Sequence, residues 1–119
     1  MIKPTIMVIG KTTMDCLTIC NFFNEYVKYV DYETNLLRII DDDYDTYDIF
    51  VYDYDNIDHS LVTFAPNVIN IVLVGSADDL DLNHLVVLGA DIIIQKDIDD
   101  ETIKNTMLIC SLIIKSNCY

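Results

Sequence analysis

The chain has 119 residues, 52% of them apolar, which suffices to bury a core at the size of one domain, expected to span residues 1–119. No apolar run approaches the roughly 20 residues of a membrane-spanning helix, and Met1-Ile2-Lys3-Pro4 has none of the features of a secretory leader. A cytoplasmic protein without membrane insertion is therefore expected. Twenty Asp and Glu against seven Lys and Arg give a formal net charge of −13; such a surface repels phosphate backbones, which argues against nucleic-acid binding and suits a basic protein partner or divalent cations.

The elements follow in chain order. Residues 5–9 read as a first strand, closed by Gly10. Thr12 and Asp15 have capping-box spacing and open a helix. That helix carries Cys16, Ile19, Cys20, Phe23, Val27 and Val30 on one face. Residues 31–35 pattern poorly as a strand, yet the alternation of elements requires one near there. Residues 36–43 suggest a short helix, ended by the acidic run 41–45 in a solvated loop. Residues 49–52 form a third strand, residues 54–65 leave room for a short helix, and Pro66-Asn67 marks a turn. Residues 68–74 are a fourth strand. Asp78-Asp79 can cap a helix through Leu80, Leu82, Leu85 and Leu88 to Gly89, a residue that ends helices readily. Residues 92–94 are a fifth strand. Asp99-Asp100-Glu101 crowds acids where a helix dipole favours them, and the last helix runs to about Lys115. Five strands alternating with helices point to an α/β protein whose parallel sheet is covered on both faces.

The four cysteines, Cys16, Cys20, Cys110 and Cys118, contain no CxxC pair, and His59 and His84 lie far from them in sequence. Small, reduced core residues are the expected role. Gly10-Lys11-Thr12-Thr13 lacks the upstream glycine of a phosphate-binding loop, because Thr5 stands there within a strand. The runs 41–45 and 53–58 lack the glycine and glutamate of a calcium loop.

Three strand ends carry chemistry. Asp48-Ile49-Phe50-Val51-Tyr52-Asp53 is a buried strand ending on a carboxylate. Ile71-Val72-Leu73-Val74-Gly75-Ser76 ends on small and hydroxyl residues. Gly89-Ala90-Asp91-Ile92-Ile93-Ile94-Gln95-Lys96 ends on a lysine. Open α/β sheets place their chemistry at such carboxyl ends.

This series resembles the receiver domain of two-component response regulators. The resemblance implies a flavodoxin-like (βα)5 three-layer sandwich with a five-stranded parallel sheet in the order 2-1-3-4-5. It implies that Asp53 stands at the phosphoacceptor position, Gly75 or Ser76 at the switch position, and Lys96 at the phosphate-contacting lysine. Departures from the pattern also matter. Gly10-Lys11 stands where receivers carry the acidic pair that holds Mg2+, so weak Mg2+ binding and little phosphorylation are expected, with Asp53 and Asp55 the remaining candidate ligands. Asp97 follows the lysine where proline is frequent, Ile93 takes the place of an aromatic switch residue, and the segment after Asp53 lacks the Pro-Gly turn. Together these suggest a degenerate, or pseudo-, receiver.

The expected function is that of a receiver-like signalling module in a phosphorelay, acting by protein–protein interaction with a histidine kinase or downstream effector. It would not be an enzyme beyond self-phosphorylation on Asp53. The alternatives are an active phosphoreceiver and a flavodoxin-like small-molecule binder. Residues 107–110 and 112–114 wrap apolar side chains around most of the last helix, which suggests a homodimer or partner contact through Leu108 and Leu112, opposite the stripe Ile103, Met107, Cys110 and Ile114.

Overall fold

A computed structural model describes residues 3–35, 47–57, 62, 64, 68–75, 79–96 and 98–116. Its five strands are β1 (Thr5–Ile9), β2 (Tyr29–Glu33), β3 (Ile49–Asp53), β4 (Ile69–Val74) and β5 (Ile92–Gln95). Three α-helices lie among the described residues: α1 (Thr13–Phe23), α2 (Asp79–Leu88) and α3 (Asp100–Ser116). The strands form one sheet in the order β2-β1-β3-β4-β5, and each neighbouring pair is parallel. This is the flavodoxin-like arrangement anticipated from the sequence.

Both faces of the sheet are covered, so the central strands are apolar throughout. All of β3 and β4 is buried. On one face Ile6, Val8, Val51, Ile71 and Leu73 pack with Cys16, Ile19 and Phe23 of α1 and Ile103, Met107 and Cys110 of α3. On the other, Phe50, Tyr52, Val72 and Val74 pack with Leu85 and Ala90. Full burial of each large side chain is worth about 1.5–3 kcal/mol. The strand order reverses beside β1, and right-handed crossovers then send α1 and α3 to one face and α2 to the other.

Local signals account for the helix ends. Thr12 caps α1, its Oγ1 accepting the Asp15 N–H at 3.1 Å. Asp99 does the same for α3, its Oδ1 accepting the Thr102 N–H at 2.7 Å. Gly89 ends α2 with φ +119°, and the Ala90 N–H donates to the Leu85 carbonyl. Asp91 pins the start of β5 to β4: its Oδ2 accepts the Asn70 N–H at 2.8 Å, and its own N–H donates to the Asn70 carbonyl at 2.9 Å.

Two expectations need correction. The first helix stops at Phe23, not near Val30. A 3-10 turn (Asn24–Tyr26) follows, Val27 is buried beyond it, and Val30 lies in β2. Val27 and Val30 continue the helical spacing by coincidence, because the segment leading into β2 and β2 itself pack on the same core as α1. The second strand therefore begins at Tyr29. Among the described residues it is an edge strand paired to β1 alone, and its mixed Tyr-Val-Asp-Tyr-Glu sequence does not read as buried. After Asp53 the chain makes a 3-10 turn (Tyr54–Asn56). The short helix expected over residues 36–43 lies outside the described residues.

Candidate functional site

The strand ends meet at the carboxyl edge of the sheet. Asp53 is the last residue of β3, in register with Leu73 of β4, and its side chain is almost fully buried. Lys96 follows β5. Its backbone N–H donates to the Val74 carbonyl at 2.9 Å, which fixes it over the end of β4. From there the ammonium forms an ion pair with Asp53 Oδ1 and lies 3.7 Å from Asp55 Oδ2. Asp55, in the turn after β3, also accepts the backbone N–H of Gly75 through Oδ2. Asp53, Asp55, Gly75 and Lys96 thus form one cluster. Ser76, the other candidate for the switch position, lies outside the described residues.

A different arrangement occupies the end of β1. The Gly10 N–H donates to the Glu33 carbonyl at 3.2 Å, continuing the ladder to β2. A Cβ at this position would lie 2.9 Å from Cys16 Sγ, 3.6 Å from Asp53 Cβ and 3.9 Å from Asp53 Oδ2. The space that a side chain on residue 10 would use therefore holds the thiol of α1. Burial pushes that thiol up to about 11, and the neighbouring Cys20, Asp53 and Asp15 push the same way. Lys11 is exposed.

A cavity of about 210 Å3 opens beside the cluster, between α1 and the segment after β5. Asp15, Asp53 and Lys96 are its charged lining, and Ile19, Phe22, Leu73 and Ile98 its apolar lining. Asp15 was read from the sequence only as part of a helix start. An acid in the first turn of a helix that follows a strand tip is the signal that could have pointed to it.

The remaining expected site residues separate cleanly. Asp53 and Asp55 are both turned toward Lys96. Among the described residues no group of three or more His, Cys, Asp or Glu side chains is arranged to hold a metal ion. Cys16, Cys20 and Cys110 are free thiols buried in the core. Leu108 and Leu112 lie on the outward side of α3, 44% and 68% exposed, with Ile109 beside them at 50%, whereas Ile103, Met107 and Cys110 face the sheet. No helix among the described residues is long and apolar enough to cross a membrane.

No protein-family model matches the sequence, and no curated protein matches it. Solved structures do match its fold. A pilus assembly protein of Burkholderia thailandensis, cpaE, superposes with a TM-score of 0.79 at 14% identity, over 93% of this chain and 98% of that one. The signal receiver domain of a LuxO repressor protein from Vibrio parahaemolyticus gives 0.74 at 12% identity, over 99% and 100%. The signal receiver domain of a DNA-binding response regulator from Colwellia psychrerythraea gives 0.67 at 19%, over 92% and 97%. The chain has the fold of a response-regulator receiver domain. At these identities the likeness defines the architecture and leaves function to be argued from the site.

Proposed function

We propose that the chain is a receiver-type signalling module that works by binding a protein partner, with Mg2+-dependent phosphorylation of Asp53 weakened or lost. The observation that carries this reading is the ion pair of Lys96 with Asp53 beside a Gly10 whose side-chain space is taken by Cys16. Mg2+ wants near-octahedral oxygen ligands, usually including one or two carboxylates. Here position 10 offers none, and Asp53 and Asp55 both face an ammonium, so the donor set does not fit the ion. Without a dication, a dianionic phosphodonor meets net repulsion from Asp53, Asp55 and Asp15, which Lys96 offsets only in part. Incubation with acetyl phosphate and Mg2+ should leave the intact mass unchanged. A phospho-adduct that disappears in Asp53→Asn would overturn the reading.

An active phosphoreceiver is the second reading. It is favoured by the placement of Asp15 in the same cavity as Asp53, where it could supply a carboxylate from α1. The same mass measurement separates the two.

The partner surface in this reading is the outward side of α3, where Leu108, Ile109 and Leu112 are exposed. The partner is a signalling protein such as a histidine kinase or effector, or a second copy of the chain. Replacing both Leu108 and Leu112 with lysine should leave the domain folded and abolish the contact. An unchanged sedimentation coefficient for a self-associating species would place the interface elsewhere.

A further inference from the structure

Two residues beyond Asp53, the chain turns so that a second carboxylate, Asp55, comes back over the end of β4. Its Oδ2 is held from two sides, by the Gly75 N–H and by the Lys96 ammonium at 3.7 Å. A backbone N–H and a lysine converging on one oxygen are a donor set for an oxyanion. In this chain the oxyanion is its own side chain.

The residue at position 75 is matched to that occupant. A Cβ on Gly75 would lie 2.6 Å from Asp55 Oδ2, inside any tolerated carbon–oxygen contact, and 3.7 Å from Asp55 Cγ. No residue other than glycine at 75 leaves the carboxylate where it is. The carboxylate is also reachable: the Asp55 side chain is 37% exposed and that of Lys96 32%, so a small solute can approach both.

We propose that the Gly75 N–H and the Lys96 ammonium form an oxyanion cradle that the protein fills with its own Asp55 carboxylate, closing the site to external anions until Asp55 leaves. The ligand class is a small oxyanion, carboxylate-like or tetrahedral. A tethered ligand competes at an effective concentration on the order of millimolar or above, so an external anion of ordinary affinity loses to it. Asp53 holds part of the same ammonium, so the emptied cradle binds weakly. The proposal concerns the strand ends discussed above but does not depend on whether Asp53 is phosphorylated.

Sulfate is the probe, because it presents tetrahedral oxygens and transfers no group. The amide resonance of Gly75 is followed by NMR during a sulfate titration of the full chain, with sodium chloride at matched ionic strength as the control for screening. In Asp55→Ala the resonance should move saturably with sulfate, with at least a tenfold lower midpoint than in the unsubstituted protein. In Asp55→Ala combined with Lys96→Met the response should vanish. Asp55→Asn, which keeps the side-chain volume but loses the charge that ties it to Lys96, should give a saturable response of the Gly75 amide at a midpoint below that of the unsubstituted protein. This second route keeps the question decidable if Asp55→Ala does not fold. Equal responses in the unsubstituted protein and Asp55→Ala, or no saturable response in whichever folded variants are obtained, would overturn the cradle. Neither outcome touches the mass test of Asp53, so the two readings fail separately.

Discussion

Two glycines at the carboxyl edge of the sheet, Gly10 after β1 and Gly75 after β4, lack a side chain for different reasons. At Gly10 the vacated volume is filled by the thiol of Cys16, a buried and uncharged group. At Gly75 it is filled by the Asp55 carboxylate, which is solvent-accessible and ties to Lys96. The β1 end has become part of the core, whereas the β3–β4–β5 end has kept charged groups in contact with one another. A sulfur in a closed volume gains from packing and loses if anything larger or charged intrudes. A carboxylate at an open edge gains only from its two donors and can be exchanged at modest cost.

The largest effect should come from restoring an acid at the closed end. Gly10→Asp drives a Cβ toward Cys16 Sγ and brings a second carboxylate against Asp53. A loss of roughly 3 kcal/mol is expected from overpacking and like-charge burial together. Urea unfolding measures it. Adding Cys16→Ala should return about 1 kcal/mol beyond additivity, because the two positions share one volume. Strict additivity would mean that Cys16 is not the group in the way.

Next comes the open end. Lys96→Met leaves the buried Asp53 carboxylate without its cation. Breaking a fully buried pair costs about 3–5 kcal/mol, but the Lys96 side chain is 32% exposed, so solvent reduces this to about 2 kcal/mol. The same urea experiment reads it, and Asp53→Asn in the Lys96→Met background should recover part of the loss. If Lys96→Met is neutral, the ion pair does not hold the three strand ends together.

At neutral pH the smallest effect, indeed none, is expected from the buried thiols. Burial raises Cys16 and Cys110 from their ordinary 9.0 to about 11, with Cys20 adding at the first and Asp91 at the second. Their folded state binds the proton more tightly than the unfolded state does. Stability is therefore complete below about pH 9 and falls between pH 9 and 11, as the unfolded chain ionises first. A urea midpoint followed from pH 8 to pH 11 should drop over that interval and drop less in Cys110→Ala. A flat profile would mean that the thiols ionise as easily in the native core as in the unfolded chain.

Much of this molecule was legible in the sequence, and what was missed has a common origin. Runs such as residues 49–53 and 69–74, apolar on both faces, mark buried parallel strands because each side chain must meet a helix above or below the sheet. Thr12 before Asp15 and Gly89 after α2 mark helix ends through local hydrogen bonding and backbone freedom. Strand tips at Asp53, Gly75 and Lys96 follow from where those runs stop. All of these depend on neighbours within about one or two turns or one strand of chain. By contrast β2 was poorly legible, because an edge strand needs one partner and tolerates Tyr29, Asp31 and Tyr32. The Cys16 thiol beside Gly10, the Asp55 carboxylate on Gly75 twenty residues away, and the place of Asp15 in a cavity with Asp53 and Lys96 were decided only by the tertiary structure. Periodicity says which face of an element is buried; which side chain from another element fills a given space is set by the packing of all the elements together.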